Sequence, residues 1–285
     1  MKQIVVISGK GGTGKTVITA SFAAIAGNAV MADCDVDAAD LHLLLSPDIK
    51  QRHLFKSGRT AVIDEGLCTG CGKCSDICRF EAISEGPLVD PIACEGCGFC
   101  FFACREGAIR MEENTTGEWF ISDTRFGPMV HAKLGIAEEN SGKLVSLVRE
   151  RARELAEAKG ADYVIIDGSP GIGCPVIASI SGVDLALIVT EPTFCGLHDA
   201  DRVAQVAGHF GVPVKMLINK YDLNPEVADM TEEYCARHKI DLVGRVPFER
   251  DVVDSVVKGK TVVEYSHGKA AKEIREVWRR LEGTL

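Results

Sequence analysis

The chain has 285 residues, enough for one large domain or a domain carrying a small module, and its 46% hydrophobic and 26% charged residues are the balance of a globular protein. A net charge of −9 argues against a nucleic-acid-binding surface, and no apolar run reaches the roughly 18–20 residues that span a bilayer. Twelve cysteines are present, eight of them in one stretch, while Cys34, Cys174, Cys195 and Cys235 have no ligand spacing and read mostly as small buried hydrophobes.

Residues 4–8 form a short apolar β-run. The start, Met1 to Ile7, lacks a long apolar core and runs straight into glycines, so a buried strand is expected rather than a signal sequence, and a cytoplasmic protein with it. Next comes Gly9-Lys10-Gly11-Gly12-Thr13-Gly14-Lys15-Thr16, which fits G-x-x-x-x-G-K-[ST] between a strand and a helix. In such a loop Gly11, Gly12, Thr13 and Gly14 turn successive N–H groups inward as an anion nest, and the helix from Lys15 points its positive end at phosphates. Lys15 is expected on the β- and γ-phosphates of a bound nucleotide, and the Thr16 hydroxyl on Mg²⁺.

A second strand near Ala29–Asp33 ends in Asp33-Cys34-Asp35-Val36-Asp37. Carboxylates at the carboxyl end of a strand beside the loop lie where a parallel α/β sheet places its ligands. Asp33 is expected to support Mg²⁺ or its waters. Asp37 and Asp40 read as solvated or capping, Leu41–Leu45 as a packed helical turn, and His42 as structural.

From about residue 58 to 112 the composition shifts to glycine, cysteine and short β-segments. The cysteines read Cys68-x2-Cys71-x2-Cys74-x3-Cys78, then Cys94-x2-Cys97-x2-Cys100-x3-Cys104, each 26 residues after its counterpart, and Ala82-Ile83 recurs as Ala108-Ile109. Zinc sites pair CxxC units across a longer gap, and disulfides need an oxidising compartment. The tandem repeat instead carries the signature of a two-cluster ferredoxin, in which the fourth cysteine of each run ligates the other cluster. That assigns Cys68, Cys71, Cys74 and Cys104 to one [4Fe–4S] cluster and Cys78, Cys94, Cys97 and Cys100 to the second. Arg79 and Arg105 stand where such ferredoxins usually have proline.

Glu118–Ser122 reads as a strand and Phe126–Met129 as a turn beyond it. Ser141 reads as an N-cap, and 142–158 as a helix burying Leu144, Leu147, Val148, Ala152 and Leu155, closed by Gly160. Tyr163–Asp167 is a buried strand ending in an aspartate, followed by a flexible loop from Gly168 to Gly173, the order of a Walker B strand and a switch. Asp167 is expected to hold Mg²⁺ through water. Further βα units follow: Asp184–Thr190, Leu197–Gly208, Val214–Asn219, Pro225–His238 and Asp241–Val246, then Pro247-Phe248. Asn219-Lys220-Tyr221-Asp222 also fits the N-K-x-D pattern that reads guanine. The last helix, about Lys269–Leu281, puts Ile274, Val277, Trp278 and Leu281 on one face, and its glutamates offset its cations, so docking on the core is expected rather than membrane binding.

The second lysine of the loop, Lys10, makes it resemble the deviant Walker A motif of the MinD/Mrp/nitrogenase-iron-protein class of ATPases. The resemblance implies ATP rather than GTP, and a homodimer or a heterodimer with a related ATPase that closes on nucleotide. Lys10 would then reach the partner's nucleotide, so that hydrolysis is slow in isolation. It also implies Asp35 as the switch I aspartate that positions the attacking water and holds Mg²⁺ with Thr16 and Asp167, and Asn219 and Pro247 on adenine. Lys10, Lys15 and Asp35 are the expected catalytic residues. One departure is Ser169 before the single Pro170, where the family usually has a second proline.

Over nearly its full length the chain resembles MinD-superfamily ATPases that carry an inserted ferredoxin domain. The implied fold is α/β, a mostly parallel, doubly wound P-loop NTPase sheet formed by residues 1–58 and 113–285. A small α+β bacterial-type ferredoxin domain at 59–112 interrupts it. Three functions fit: ATP-governed electron transfer to a redox partner protein, cluster delivery to an apo-target as in Mrp, or MinD-like positioning with structural clusters. The complete eight-cysteine set favours the first.

Overall fold

Ile4-Val5-Val6-Ile7, Val164-Ile165-Ile166 and Leu187-Ile188-Val189 have no solvent exposure. Continuous apolar runs of this kind form strands covered on both faces of a parallel sheet. The computed structural model describes residues 1–84, 86–135 and 141–284. In chain order its elements are β1 (Lys2–Ser8), α1 (Lys15–Ile25), β2 (Ala29–Asp33), α2 (Leu41–Leu45), β3 (Asp48–Ile63), α3 (Lys73–Asp76), α4 (Phe99–Ala103), β4 (Ile109–Thr124), β5 (Gly127–Leu134), α5 (Ser141–Lys159), β6 (Tyr163–Pro170), α6 (Cys174–Ile180), β7 (Leu185–Thr190), α7 (Phe194–His209), β8 (Val214–Asn219), a 3₁₀ turn (Tyr221–Leu223), α8 (Pro225–His238), β9 (Asp241–Val246), α9 (Arg250–Val257), α10 (Val262–Tyr265) and α11 (Lys269–Glu282).

The nine strands form one sheet in the order β3-β4-β5-β2-β6-β1-β7-β8-β9. From β5 through β9 the neighbouring pairs are parallel. Two compact units divide the chain: Met1–His53, Glu118–Leu134 and Asn140–Leu285 form one, Leu54–Gly117 and Gly135–Glu139 the other.

In the first unit the strand residues alternate between two apolar layers. Ile4, Val6, Met31, Ile165, Leu187 and Leu217 share a cluster with Phe22 of α1, Leu41 of α2 and Ile274, Val277 and Trp278 of α11. Trp278 meets the Phe22 ring at 5.1 Å, so α11 is docked on the core by its aromatic face. No described helix is long and apolar enough to cross a membrane. Against the opposite face lie α5, which touches β2, β5 and β6, and α6 and α7, which touch β6 and β7. This is the doubly wound arrangement that alternating strands and helices dictate.

Several local expectations are corrected. Gly127–Met129 are strand rather than turn, because β4 and β5 meet in a two-residue hairpin at Arg125-Phe126. Gly168-Ser169-Pro170 continue β6 rather than opening a flexible loop, and the chain turns only at Gly171, whose φ is 94°. On α5, Val145 and Ala156 are fully buried where Leu147 and Leu155 are only half-buried. Ser141 is the first helical residue, and the position before it lies outside the described residues. Helices α6, α9 and α10 are not among the elements expected from the sequence. Cys34 and Cys235 are buried, but Cys174 and Cys195 are exposed.

Candidate functional site

The glycine loop leaves β1 and enters α1 through two left-handed residues, Gly12 (φ 80°) and Gly14 (φ 91°). A side chain at Gly14 would also stand 2.3 Å from Asn219 Nδ2, so neither the backbone nor the space tolerates one. No side chain caps α1 and no acidic residue sits in its first turn. Its first N–H groups and dipole are therefore presented to whatever the loop binds.

Asp33 ends β2, Asp35 follows two residues on, and Asp167 lies within β6 three residues short of its end. Asp33 and Asp167 are register partners on these adjacent strands. The β1–β6 register slips between Val6 and Ser8, a bulge that re-aims the chain at Asp167. Lys15 Nζ lies 3.0 Å from Asp167 Oδ1 and 3.2 Å from Asp35 Oδ2. Thr16 Oγ1 donates to Asp167 Oδ2 at 2.8 Å and Thr19 Oγ1 to Oδ1 at 3.0 Å. Burial alone would depress the Lys15 ammonium, but Asp167, Asp35 and Asp33 outweigh it and hold its pKa above the ordinary value. Burial, reinforced by Asp167, pushes the Asp33 carboxyl well up, and burial also raises Asp35.

Asp33 Oδ2 and the Thr13 hydroxyl are buried without a hydrogen-bond partner. A buried carboxylate oxygen left unpaired costs free energy that a cation would recover. The donor set of Thr16, Asp167 and Asp33, all oxygens, suits Mg²⁺.

Lys10 is not free on the surface. Its Nζ lies 3.2 Å from Glu191 Oε2, and Lys220 Nζ lies 2.5 Å from Glu191 Oε1. Asn219 Nδ2 donates to the Thr13 carbonyl at 2.7 Å, and its Oδ1 accepts from Lys220 N at 3.1 Å. Asp222 Oδ1 accepts from Phe248 N at 2.7 Å, which ties the N-K-x-D segment to the loop after β9. With Lys220 on Glu191 and Asp222 on Phe248, two of the groups that would read guanine are engaged by the protein. Pro247 is half-buried in that same loop and Phe248 beside it is exposed.

Sequence reasoning missed Thr19 and Glu191. Thr19 is one helical turn from Lys15, and Glu191 follows the end of β7, so the strand-end rule that located Asp33 and Asp167 applied to it as well.

In the second unit the eight cysteines divide between two cavities. One, of about 460 Å³, is lined by Cys78, Cys94, Cys97 and Cys100, and the other, of about 200 Å³, by Cys68, Cys71, Cys74 and Cys104. Each cavity thus takes three cysteines from one run and the fourth from the other. No cysteine is in a disulfide. Burial pushes up the Cys74 and Cys100 thiols.

The 26-residue repeat is present in the backbone. Asp64 N donates to Ala108 O at 2.7 Å and Asp90 N to Ala82 O at 2.7 Å. Cys68 N donates to Asp64 O at 3.0 Å and Cys94 N to Asp90 O at 3.1 Å. Gly70 and Gly96, and Gly72 and Gly98, all have positive φ, and the latter two precede α3 and α4. The rims break this symmetry. Phe99 and Phe80 line the larger cavity at positions where the smaller has Lys73 and Glu106.

No group of three or more His, Cys, Asp or Glu among the described residues converges as ligands of one metal ion do. Four thiolates on a single zinc would converge within bonding distance of one point. Four thiolates spaced around a cavity suit the larger body of an iron–sulfur cluster, whose soft irons take sulfur ligands.

The family description CobQ/CobB/MinD/ParA nucleotide binding domain matches residues 4–262. An uncharacterized protein of Methanocaldococcus jannaschii is 32% identical over 98% of this chain and 96% of its own. Among solved structures, the cell division ATPase MinD of Pyrococcus furiosus superposes with a TM-score of 0.60 at 20% identity, covering 100% of this chain and 99% of that one. The septum site-determining protein MinD of Pyrococcus horikoshii, in complex with Mg-ADP, superposes with a TM-score of 0.62 at 18% identity, covering 99% and 96%. The match over residues 4–262 covers most of the chain, which therefore belongs to the CobQ/CobB/MinD/ParA nucleotide-binding family.

Proposed function

We propose that the chain is an ATP-binding and ATP-hydrolysing switch whose cysteine module holds two [4Fe–4S] clusters, and that its nucleotide state governs one-electron transfer to a protein partner. The observation that carries the reading is the division of eight free cysteines into two four-cysteine cavities in a chain that also holds a phosphate nest. The Mg-ADP bound by the Pyrococcus horikoshii protein supports an adenine nucleotide with Mg²⁺ here.

At the nucleotide site the loop N–H groups and the α1 dipole hold the phosphates, and Thr16 and Asp167 would hold Mg²⁺ with Asp33 behind them. Mg²⁺ supplies neutralisation of the phosphate oxygens. Lys15 turns from its carboxylates to the β- and γ-phosphates, and Asp35, its pKa raised by burial, orients a water for attack. Cys68, Cys71, Cys74 and Cys104 would hold one cluster and Cys78, Cys94, Cys97 and Cys100 the other. The chemistry such clusters supply is one-electron storage. The reading implies a reducing, cytoplasmic setting, a dimer with itself or a related ATPase, and a redox protein as acceptor.

A second reading, a MinD-like positioning ATPase with structural clusters, is favoured by the likeness to the cell division protein of Pyrococcus furiosus. Anaerobic reconstitution separates the readings. Iron and acid-labile sulfide should load to about eight each per chain. Dithionite-reduced protein should then pass electrons to an acceptor at rates that differ between ATP and ADP. Equal rates with ATP, ADP and no nucleotide reject nucleotide-governed transfer and leave positioning. Transfer of the iron to an apo-protein assigns the carrier role instead.

A further inference from the structure

Glu191 is the first residue after β7, the strand that neighbours β1 in the sheet, so its carboxylate stands at the same edge as the glycine loop. It holds two lysines of that loop's surroundings, Lys10 at 3.2 Å and Lys220 at 2.5 Å. Lys220 also donates to the Gly12 carbonyl at 3.3 Å, which fastens the group to the loop itself. Burial would push the Glu191 carboxyl up, but Lys220 and Lys10 together hold it below its ordinary value. The carboxylate is ionised and saturated by cations.

We propose that Glu191 is a resident counter-anion of the phosphate nest. It keeps Lys10 folded against its own chain, and an arriving polyphosphate must win Lys10 from it. The inference rests on reading the loop as a nucleotide site, and it makes Glu191 a positioning residue that acts through Lys10.

Two physical points favour competition over a fixed staple. First, a triphosphate carries several negative charges against the single charge of Glu191, so at equal distance it attracts the ammonium more strongly. Second, the departure of Lys10 is cheap. Lys220 remains on Glu191 at the shorter contact, so no carboxylate is left buried and unpaired. Lys10 is itself 33% exposed, whereas Lys15, at 6%, lies between two carboxylates and needs a replacement cation when it moves. The two lysines of the loop are therefore held by different means, Lys10 loosely and Lys15 tightly.

Glu191→Gln keeps the shape and removes the charge. In the full-length protein this variant should bind ATP and inorganic pyrophosphate about fivefold more tightly at low ionic strength. The gain should shrink as salt is raised. It should disappear in the Glu191→Gln/Lys10→Ala double variant. A readout without nucleotide is amine labelling of Lys10 followed by mass spectrometry, which should be faster in Glu191→Gln than in the parent. A purely structural glutamate would instead lower the melting temperature or weaken binding, with Lys10 labelled at the parental rate. That result in a folded variant overturns the proposal. Faster labelling of Lys10 in a protein that binds neither ATP nor pyrophosphate overturns the counter-anion role together with the nucleotide reading, and leaves the ion pair alone.

Discussion

The side-chain amide of Asn219 donates to the main-chain carbonyl of Thr13 at 2.7 Å, so the end of β8 is clamped onto the phosphate loop. The other end of the same amide accepts from Lys220 N. Asn219 is 9% exposed, and a glycine at position 14 is required beside it. These contacts brace the loop. Asn219→Ala should therefore weaken ATP and inorganic pyrophosphate binding by similar factors, about fivefold for one lost buried hydrogen bond. Titration calorimetry with both ligands decides it. A variant that loses ATP affinity and keeps pyrophosphate affinity would return Asn219 to the adenine.

Lys15 neutralises buried carboxylates as well as facing the nest. Removing one partner of a buried ion pair leaves an uncompensated charge and costs about 3–5 kcal/mol. Lys15→Ala should thus lose stability of that order in urea unfolding, in addition to losing nucleotide binding. Asp167→Asn in the same chain should restore part of the stability and none of the binding. Unchanged unfolding midpoints in Lys15→Ala would show that water reaches Asp167 freely.

The crossing of the cysteine runs has a direct test. Cys104→Ser should disturb the site of Cys68, Cys71 and Cys74, and Cys78→Ser the site of Cys94, Cys97 and Cys100. After anaerobic reconstitution each variant should retain about half the iron, with the surviving cluster giving its parental electron paramagnetic resonance signal. If Cys104→Ser altered the signal that Cys97→Ser also alters, each run would be closing on its own cluster.

His131 provides a pH-dependent contribution to stability. Its Nε2 lies 2.8 Å from Ser122 Oγ and its ring stacks on Phe120. Burial, with a smaller effect of His42, lowers its pKa to about 4 from an unfolded value of 6.5. Between those values the unfolded chain binds the proton and the folded chain does not, so stability falls as pH drops from 6.5 towards 4. The loss should reach ~1–3 kcal/mol, allowing for partial exposure. His131→Phe should flatten that part of the profile, measured as denaturant midpoint against pH. Parallel profiles for the variant and the parent would exclude His131 as the source.

Much of the nucleotide region was legible because its chemistry is local. The glycine loop, the strand-end aspartates and the helix from Lys15 each occupy a few consecutive residues, and the strands Ala29–Asp33 and Val214–Asn219 were bounded correctly by their apolar runs. The same holds for the cysteine repeat, whose 26-residue period returns as paired main-chain hydrogen bonds from Asp64 and Asp90. What was misread depended on neighbours. Gly168-Ser169-Pro170 look like a loop by composition, yet they extend β6 because β1 still runs beside them, with Ser8 opposite Pro170.

By itself, then, the sequence determined which groups this protein has to work with: a phosphate nest, carboxylates beside it, and eight thiols in two runs. Tertiary structure decided how they are paired. It set Lys15 between Asp35 and Asp167, put both Lys10 and Lys220 on Glu191, turned the amide of Asn219 to Thr13, and gathered the cysteines three-and-one into two cavities. Sequence distance carries no record of these pairings. They arise where separate strands end side by side at one edge of a sheet, and where two halves of a repeat fold back on each other.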